Sequence, residues 1–198
     1  IMPSLVGSEM CIRDRAVVAR HARALGAELR ARLRALTHHG GARAVVLYEE
    51  GGVGAAGGPR AQDGSASADA PRDGERARAP TVAFNVLGAD GKYISAAEVV
   101  RLAAGARPPL QLRAGCFCAP GACQRALGLS DAAILAALAA GHVCGDDHDI
   151  SPTDGAPLGA VRASVGSWST WEDVEALVTF VHATFVACLL YTSPSPRD

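Results

Sequence analysis

Four short apolar runs bounded by turn-forming residues alternate with amphipathic stripes, and this alternation restricts the chain to a mixed architecture of sheet and helix. The runs are Val45-Val-Leu-Tyr48, Thr81-Val-Ala-Phe-Asn-Val-Leu87, Leu110-Gln-Leu-Arg113 and Ala160-Val-Arg-Ala-Ser-Val165. In the last, a period of two sets Val161, Ala163 and Val165 on one face and Arg162 and Ser164 on the other. Pro108 and Pro109 force extended chain into the third. Between the runs, Val18, Leu25, Leu29, Leu33 and Leu36 form a helical stripe from about Ala16 to Leu36, with arginines turned to water. Ser95-Ala-Ala-Glu98 has capping-box spacing and starts a helix reaching about Ala104. Ser130 as N-cap and Gly141 as C-cap bound an alanine-rich helix. Ser169-Thr-Trp-Glu172 is a second box, opening a helix whose stripe is Val174, Leu177, Val178, Val181 and Phe185. Signals for tight hairpins are few. The expected fold is α/β, a two-layer sandwich with the helices on one side of a sheet.

The 198 residues, 49% hydrophobic and 20% charged, suffice for one packed domain and are too apolar for a disordered tail. Aromatic residues are only 5%, so Ala, Val and Leu must fill most of the core. A net charge of −1 argues against a protein built to hold nucleic acid. No run approaches the roughly 20 apolar residues of a membrane span. From Gly51 to Pro80 the only large apolar residue is Val53, so residues 51–80 are expected to form a flexible surface insertion.

The two ends share a relation that has nothing to do with folding. One nucleotide string encodes Leu5 to Asp14, and its reverse complement in another frame encodes Cys188 to Pro196 and begins the codon of Arg197. That string resembles a sequencing-library adapter. Residues 1–15 and 188–198 therefore read as translated adapter on an internal segment of about Ala16 to Ala187. With Cys11 and Cys188 set aside, the cysteines are those at 116, 118, 123 and 144.

These cysteines make the densest chemical cluster, Cys116-Phe-Cys118-Ala-Pro-Gly-Ala-Cys123 followed by His142-Val-Cys144. They could be buried thiols packing as small hydrophobes. They could bind zinc, with Cys118, Cys123, His142 and Cys144 as ligands, although the closely spaced His-x-Cys pair does not fit the usual finger pattern. Or one thiolate could be a nucleophile on a loop bracketed by Gly115 and Pro120-Gly121. Spacing alone does not rank the last two.

Four motifs in order carry a resemblance: Arg113-Ala-Gly-Cys-Phe-Cys118-Ala-Pro-Gly-Ala-Cys123-Gln124, Gly141-His-Val-Cys-Gly-Asp-Asp147, Gly159-Ala-Val-Arg162-Ala-Ser-Val-Gly166, and Ser169-Thr170 with Glu172-Asp173. From about residue 81 to 186 the chain resembles the molybdenum cofactor sulfurases, specifically the C-terminal part of their cysteine-desulfurase-like, class V aminotransferase domain. Ala114 and Ala119 depart from the threonine and asparagine that the family favours.

The resemblance implies the small C-terminal domain of a fold-type I enzyme that uses pyridoxal phosphate. Such a transferase takes sulfur from L-cysteine, leaving alanine and an enzyme persulfide. It then passes the sulfur to the molybdenum cofactor used by xanthine dehydrogenase and aldehyde oxidase. The persulfide cysteine of related desulfurases ends an Arg-x-Gly-x-x-Cys motif, which falls on Cys118. Cys116 and Cys123 become structural or relaying neighbours. Arg162 matches the arginine that pairs with the substrate carboxylate, and Arg113 is a supporting candidate. His142, Asp146 and Asp147 match family loop residues, with His142 expected to be a hydrogen-bonded structural residue. The family also implies a cytosolic homodimer, and clustered thiols without a bridge framework fit a reducing compartment.

Lys92 is the only lysine, and its turn, Asp90-Gly-Lys-Tyr93, does not match the family's Schiff-base site. The chain is therefore expected to lack the pyridoxal phosphate lysine. The cofactor site would lie in a large domain upstream, and a cofactor-receiving domain downstream. Alone, such a piece would be inactive. The competing expectation is a non-enzymatic zinc-binding or interaction module built on the Cys/His cluster.

Overall fold

The computed structural model describes residues 5–48, 80–143 and 148–187, with side chains described from Asp14 onward. Helix α1 (Leu5–Ala35) is followed by β1 (Val45–Tyr48), β2 (Thr81–Val86), α2 (Ala96–Ala104), β3 (Arg113–Gly115), α3 (Pro120–Leu127) and α4 (Asp131–Ala139). Strand β4 (Ala160–Ser164) and α5 (Trp171–Val181) complete the order, α5 ending in a π-helical turn over His182–Val186.

The described strands form one antiparallel sheet in the order β1-β2-β4-β3. Val45 lies opposite Val86, Leu47 opposite Phe84, Val82 opposite Ala163 and Phe84 opposite Val161. Since side chains alternate along a strand, these residues share one face. That face packs with Leu25, Leu29 and Leu33 of α1, Ala96 and Val99 of α2, and Val174, Leu177, Val178 and Val181 of α5 in a single core. The architecture is thus mixed α/β, with α1, α2 and α5 covering one side of a small sheet. The other side carries Tyr48, Ala83, Arg162 and Arg113 in one cross-strand row.

Several local expectations hold. Ser95 Oγ accepts from the Glu98 N–H at 3.2 Å and Ser130 Oγ from the Ala133 N–H at 3.2 Å, so both serines cap helices as their spacing indicates. Every residue of the α5 stripe, from Val174 to Phe185, is buried.

Others are corrected. Helix α1 begins at Leu5 rather than Ala16, and Val18 of the expected stripe is exposed. Arg30, expected to face water, is buried and donates to the Thr81 carbonyl at 2.9 Å. The approach is close because residue 26 is glycine: a Cβ there would lie 3.1 Å from Pro80 Cα.

Strand β3 starts at Arg113 rather than Leu110, because Leu110 and Leu112 pack against the core as irregular chain. Helix α3, in a stretch expected to be loop, starts with Pro120, whose fixed φ suits a first turn. The C-cap of α4 is Ala140, with the left-handed Gly141 one residue beyond. The box at α5 is one residue later than its spacing indicates. Thr170 Oγ1 accepts from the Asp173 N–H and Asp173 returns the bond, while Ser169 Oγ accepts from the Gly166 N–H.

Residues 51–79 of the expected insertion, the loop residues Cys144, Asp146 and Asp147, and residues 188–198 lie outside the described residues. Among the described residues no single helix is long and apolar enough to cross a membrane.

Candidate functional site

The cysteine loop is set by a glycine contact. Strands β3 and β4 approach so closely that a Cβ on Gly159 would lie 2.9 Å from Gly115 Cα, where only backbone could yield. Gly115 itself has φ +104°, which turns the chain out of the strand. The Cys116 thiol then donates to the Leu158 carbonyl at 3.4 Å. Phe117 and Cys118 follow with φ of 55° and 58°, two consecutive non-glycine residues in the left-handed region. Such residues cost on the order of 1–3 kcal/mol each and persist where their surroundings over-determine them. The Ala119 N–H closes the turn on the Cys116 carbonyl at 3.0 Å, and α3 begins.

This geometry separates the thiols. Cys118 is exposed, whereas Cys116 and Cys123 are half-buried. The Cys123 side chain hydrogen-bonds Cys116 and stabilises its thiolate, lowering the Cys116 pKa to about 7 against the opposing effect of burial. Iodoacetamide should therefore alkylate Cys116 slowly below pH 7, where the thiol is protonated, and at its limiting rate above it. The midpoint should fall near 7 and move up toward the ordinary thiol range in Cys123→Ala, as read by peptide mass analysis across pH. A midpoint unmoved by that substitution would remove Cys123 as the cause.

Arg162 and Arg113 lie directly opposite each other on β4 and β3. Like charges in that relation are destabilising, so the pair is a place where an anion would be welcome. Arg162 is half-buried and its guanidinium carbon sits over the Phe117 ring, 4.7 Å from the centroid. Among the described residues its buried Nε has no hydrogen-bond partner. Beside this row, the buried Asn85 donates to Tyr48 Oη at 3.1 Å and to the Gly159 carbonyl at 2.9 Å. Burial, helped by Tyr93, pushes the Tyr48 phenol well above its usual range, so the hydroxyl stays protonated as a donor.

Cys116, Cys118, Cys123, Arg113 and Arg162 are thus gathered where the loop leaves the sheet. His142 is half-buried just beyond α4, its backbone N–H on the Ala137 carbonyl at 3.0 Å. Among the described residues no three His, Cys, Asp or Glu side chains are grouped to hold a metal, and Cys144 lies outside them. Lys92 is a surface residue, its side chain 85% exposed and its Nζ 3.4 Å from Asp90 Oδ2.

Phe117, Tyr48 and Asn85 join the site without having stood out as functional in the sequence. Only Asn85 left a signal there, as a lone amide inside an apolar strand.

The fold and site define a mixed α/β thiol module, with an exposed cysteine on a strained loop beside paired cations. No family model and no solved structure matches the chain. Curated proteins do. Over 169 residues, 85% of this chain and 17% of the relative, it is 40% identical to the molybdenum cofactor sulfurase of Solanum lycopersicum. With that of Anopheles gambiae it shares 38% identity over 180 residues, 91% of this chain and 20% of the relative. With that of Bos taurus it shares 46% over 105 residues, 53% of this chain and 12% of the relative. The chain belongs to the molybdenum cofactor sulfurase family. It spans a fifth or less of the length of these relatives.

Proposed function

We propose that the chain is the small C-terminal domain of a fold-type I, class V aminotransferase-like desulfurase region, and that it supplies that enzyme's sulfur acceptor, Cys118, and carboxylate-binding residue, Arg162. One observation carries this reading: an exposed thiol on a strained turn directly follows the residue whose ring covers a half-buried arginine, itself opposite a second arginine. A planar guanidinium binds a carboxylate through two parallel hydrogen bonds, fixing the orientation of an amino acid as well as its charge. A carboxylate there also relieves the repulsion between Arg113 and Arg162.

With L-cysteine as substrate, the Cys118 thiolate forms an S–S bond as the carbon–sulfur bond of L-cysteine breaks. The electron pair of that bond stays on carbon, which takes up a proton to give alanine. Pyridoxal phosphate supplies the electron sink for such a carbon when bound. The residues present do not fit it: Lys92, the only lysine, is exposed in a turn and paired with Asp90. The cofactor lysine then belongs to a large domain outside this chain, and the piece alone is inactive. The sulfur would go on to the molybdenum cofactor bound by a further domain, in a cytosolic homodimer.

The test is persulfide formation by the full-length protein carrying this segment, loaded with pyridoxal phosphate and given L-cysteine. Cys118→Ser should abolish it and Cys116→Ser should retain it. Undiminished persulfide in Cys118→Ser would sink the assignment. The lowered pKa of Cys116 supports a second reading with that residue as acceptor, which the opposite pattern would favour.

A further inference from the structure

We infer that Phe117 is a positioning residue that couples the Arg162 carboxylate site to the Cys118 loop. The inference rests on the roles proposed above for Cys118 and Arg162 and adds the connection between them.

A cation over an aromatic ring is held by the ring quadrupole, and this spends none of its N–H donors on an acceptor. Phe117 can therefore steady the guanidinium, 4.7 Å from its ring centroid, while leaving the donors to a carboxylate. No hydrogen bond does this from the Nε side among the described residues, since the buried Nε of Arg162 has no partner there. The same ring restrains the loop. Phe117 and Cys118 both occupy the left-handed region, which neither side chain favours, so the turn relaxes when its restraints are lifted. Those restraints include the Ala119 to Cys116 backbone bond and the seat of the ring on Arg162.

Cys118 is the next residue, so a sulfur moving from substrate to acceptor on that loop must draw Phe117 off Arg162. A bound carboxylate neutralises the cation and weakens its hold on the ring. Carboxylate occupancy thereby frees the thiol that is to react with the same molecule.

The coupling is measurable in the full-length protein without turnover. The rate of Cys118 alkylation by iodoacetamide, read by peptide mass, should rise about fivefold in Phe117→Leu and equally in Arg162→Ala, the size of effect expected from a partly desolvated cation–π contact. The double variant should rise no further than either single one. Phe117→Leu keeps the apolar bulk and Phe117→Trp keeps the ring, so the tryptophan variant should behave as wild type if the quadrupole matters. In the loaded enzyme Phe117→Leu should lower the KM for L-cysteine, because the carboxylate no longer competes with the ring for the guanidinium, and Phe117→Trp should restore it. Unchanged alkylation in Phe117→Leu, or additive effects in the double variant, overturns the coupling. Were Cys118→Ser to retain persulfide formation while the alkylation effects stayed non-additive, the function proposed above would fail and the coupling would stand. Loss of persulfide in Cys118→Ser with additive effects would leave that function standing and overturn the coupling.

Discussion

Phe84→Ala is expected to lower the free energy of unfolding by about 3–5 kcal/mol, as measured by urea denaturation. Phe84 is fully buried in the middle of β2, with Leu47 opposite it on β1 and Val161 opposite it on β4. Its ring belongs to the core that α1, α2 and α5 build on that face. Aromatics are 5% of the chain, so few other side chains could collapse into the space left behind. The loss combines the transfer energy of the ring with the cost of the cavity. Against a typical total of about 5–15 kcal/mol, it would remove a large share of the stability. A change under about 1 kcal/mol would mean that this face of the sheet is not packed as described.

Gly159→Ala is expected to cost about 1–3 kcal/mol and, unlike Phe84→Ala, to disturb the site directly. The new Cβ would sit 2.9 Å from Gly115 Cα and 3.3 Å from its carbonyl carbon. These are backbone atoms, so no flexible side chain can swing away and β3 must move off β4. The Asn85 bond to the Gly159 carbonyl and the Cys116 bond to the Leu158 carbonyl lie on the same stretch. The expected signature is a lower unfolding midpoint together with an altered rate of Cys118 alkylation. Wild-type stability with an unchanged alkylation rate would show that the strands can separate at no cost and that the glycine pair does not set the loop.

Local chemistry was legible where it depends on neighbours in the chain. Val161 and Ala163 of the alternating β4 and the whole stripe of α5 are buried, with Val165 only partly so, and Ser95 and Ser130 cap the helices that their spacing indicates. The misplacements also have local causes. Ser169 and Thr170 offer competing hydroxyls one residue apart, and the one that wins is followed by a carboxylate at Asp173 able to return the bond. Helix α3 buries none of its residues, so it carries no apolar periodicity to read, and Pro120 is its main trace. Arg30 is charged and lies among other arginines on α1. Its burial follows only from where β2 begins in space.

By itself the sequence determined the mixed helix-and-sheet class, the positions of most elements, and the closeness of Cys116, Cys118 and Cys123 along the chain, the last of them on α3 rather than in the expected loop. These follow from residue type and spacing along the chain. The tertiary structure alone decided that Arg113 faces Arg162, that Phe117 rests on that guanidinium, that Gly159 admits Gly115, and that Cys118 rather than Cys116 stands in solvent. Each of these depends on strand register and on backbone conformation at the loop, and neither is encoded in a pattern of neighbours. A shift of register by one residue would turn every side chain of β4 to the opposite face and take Arg162 away from the thiols.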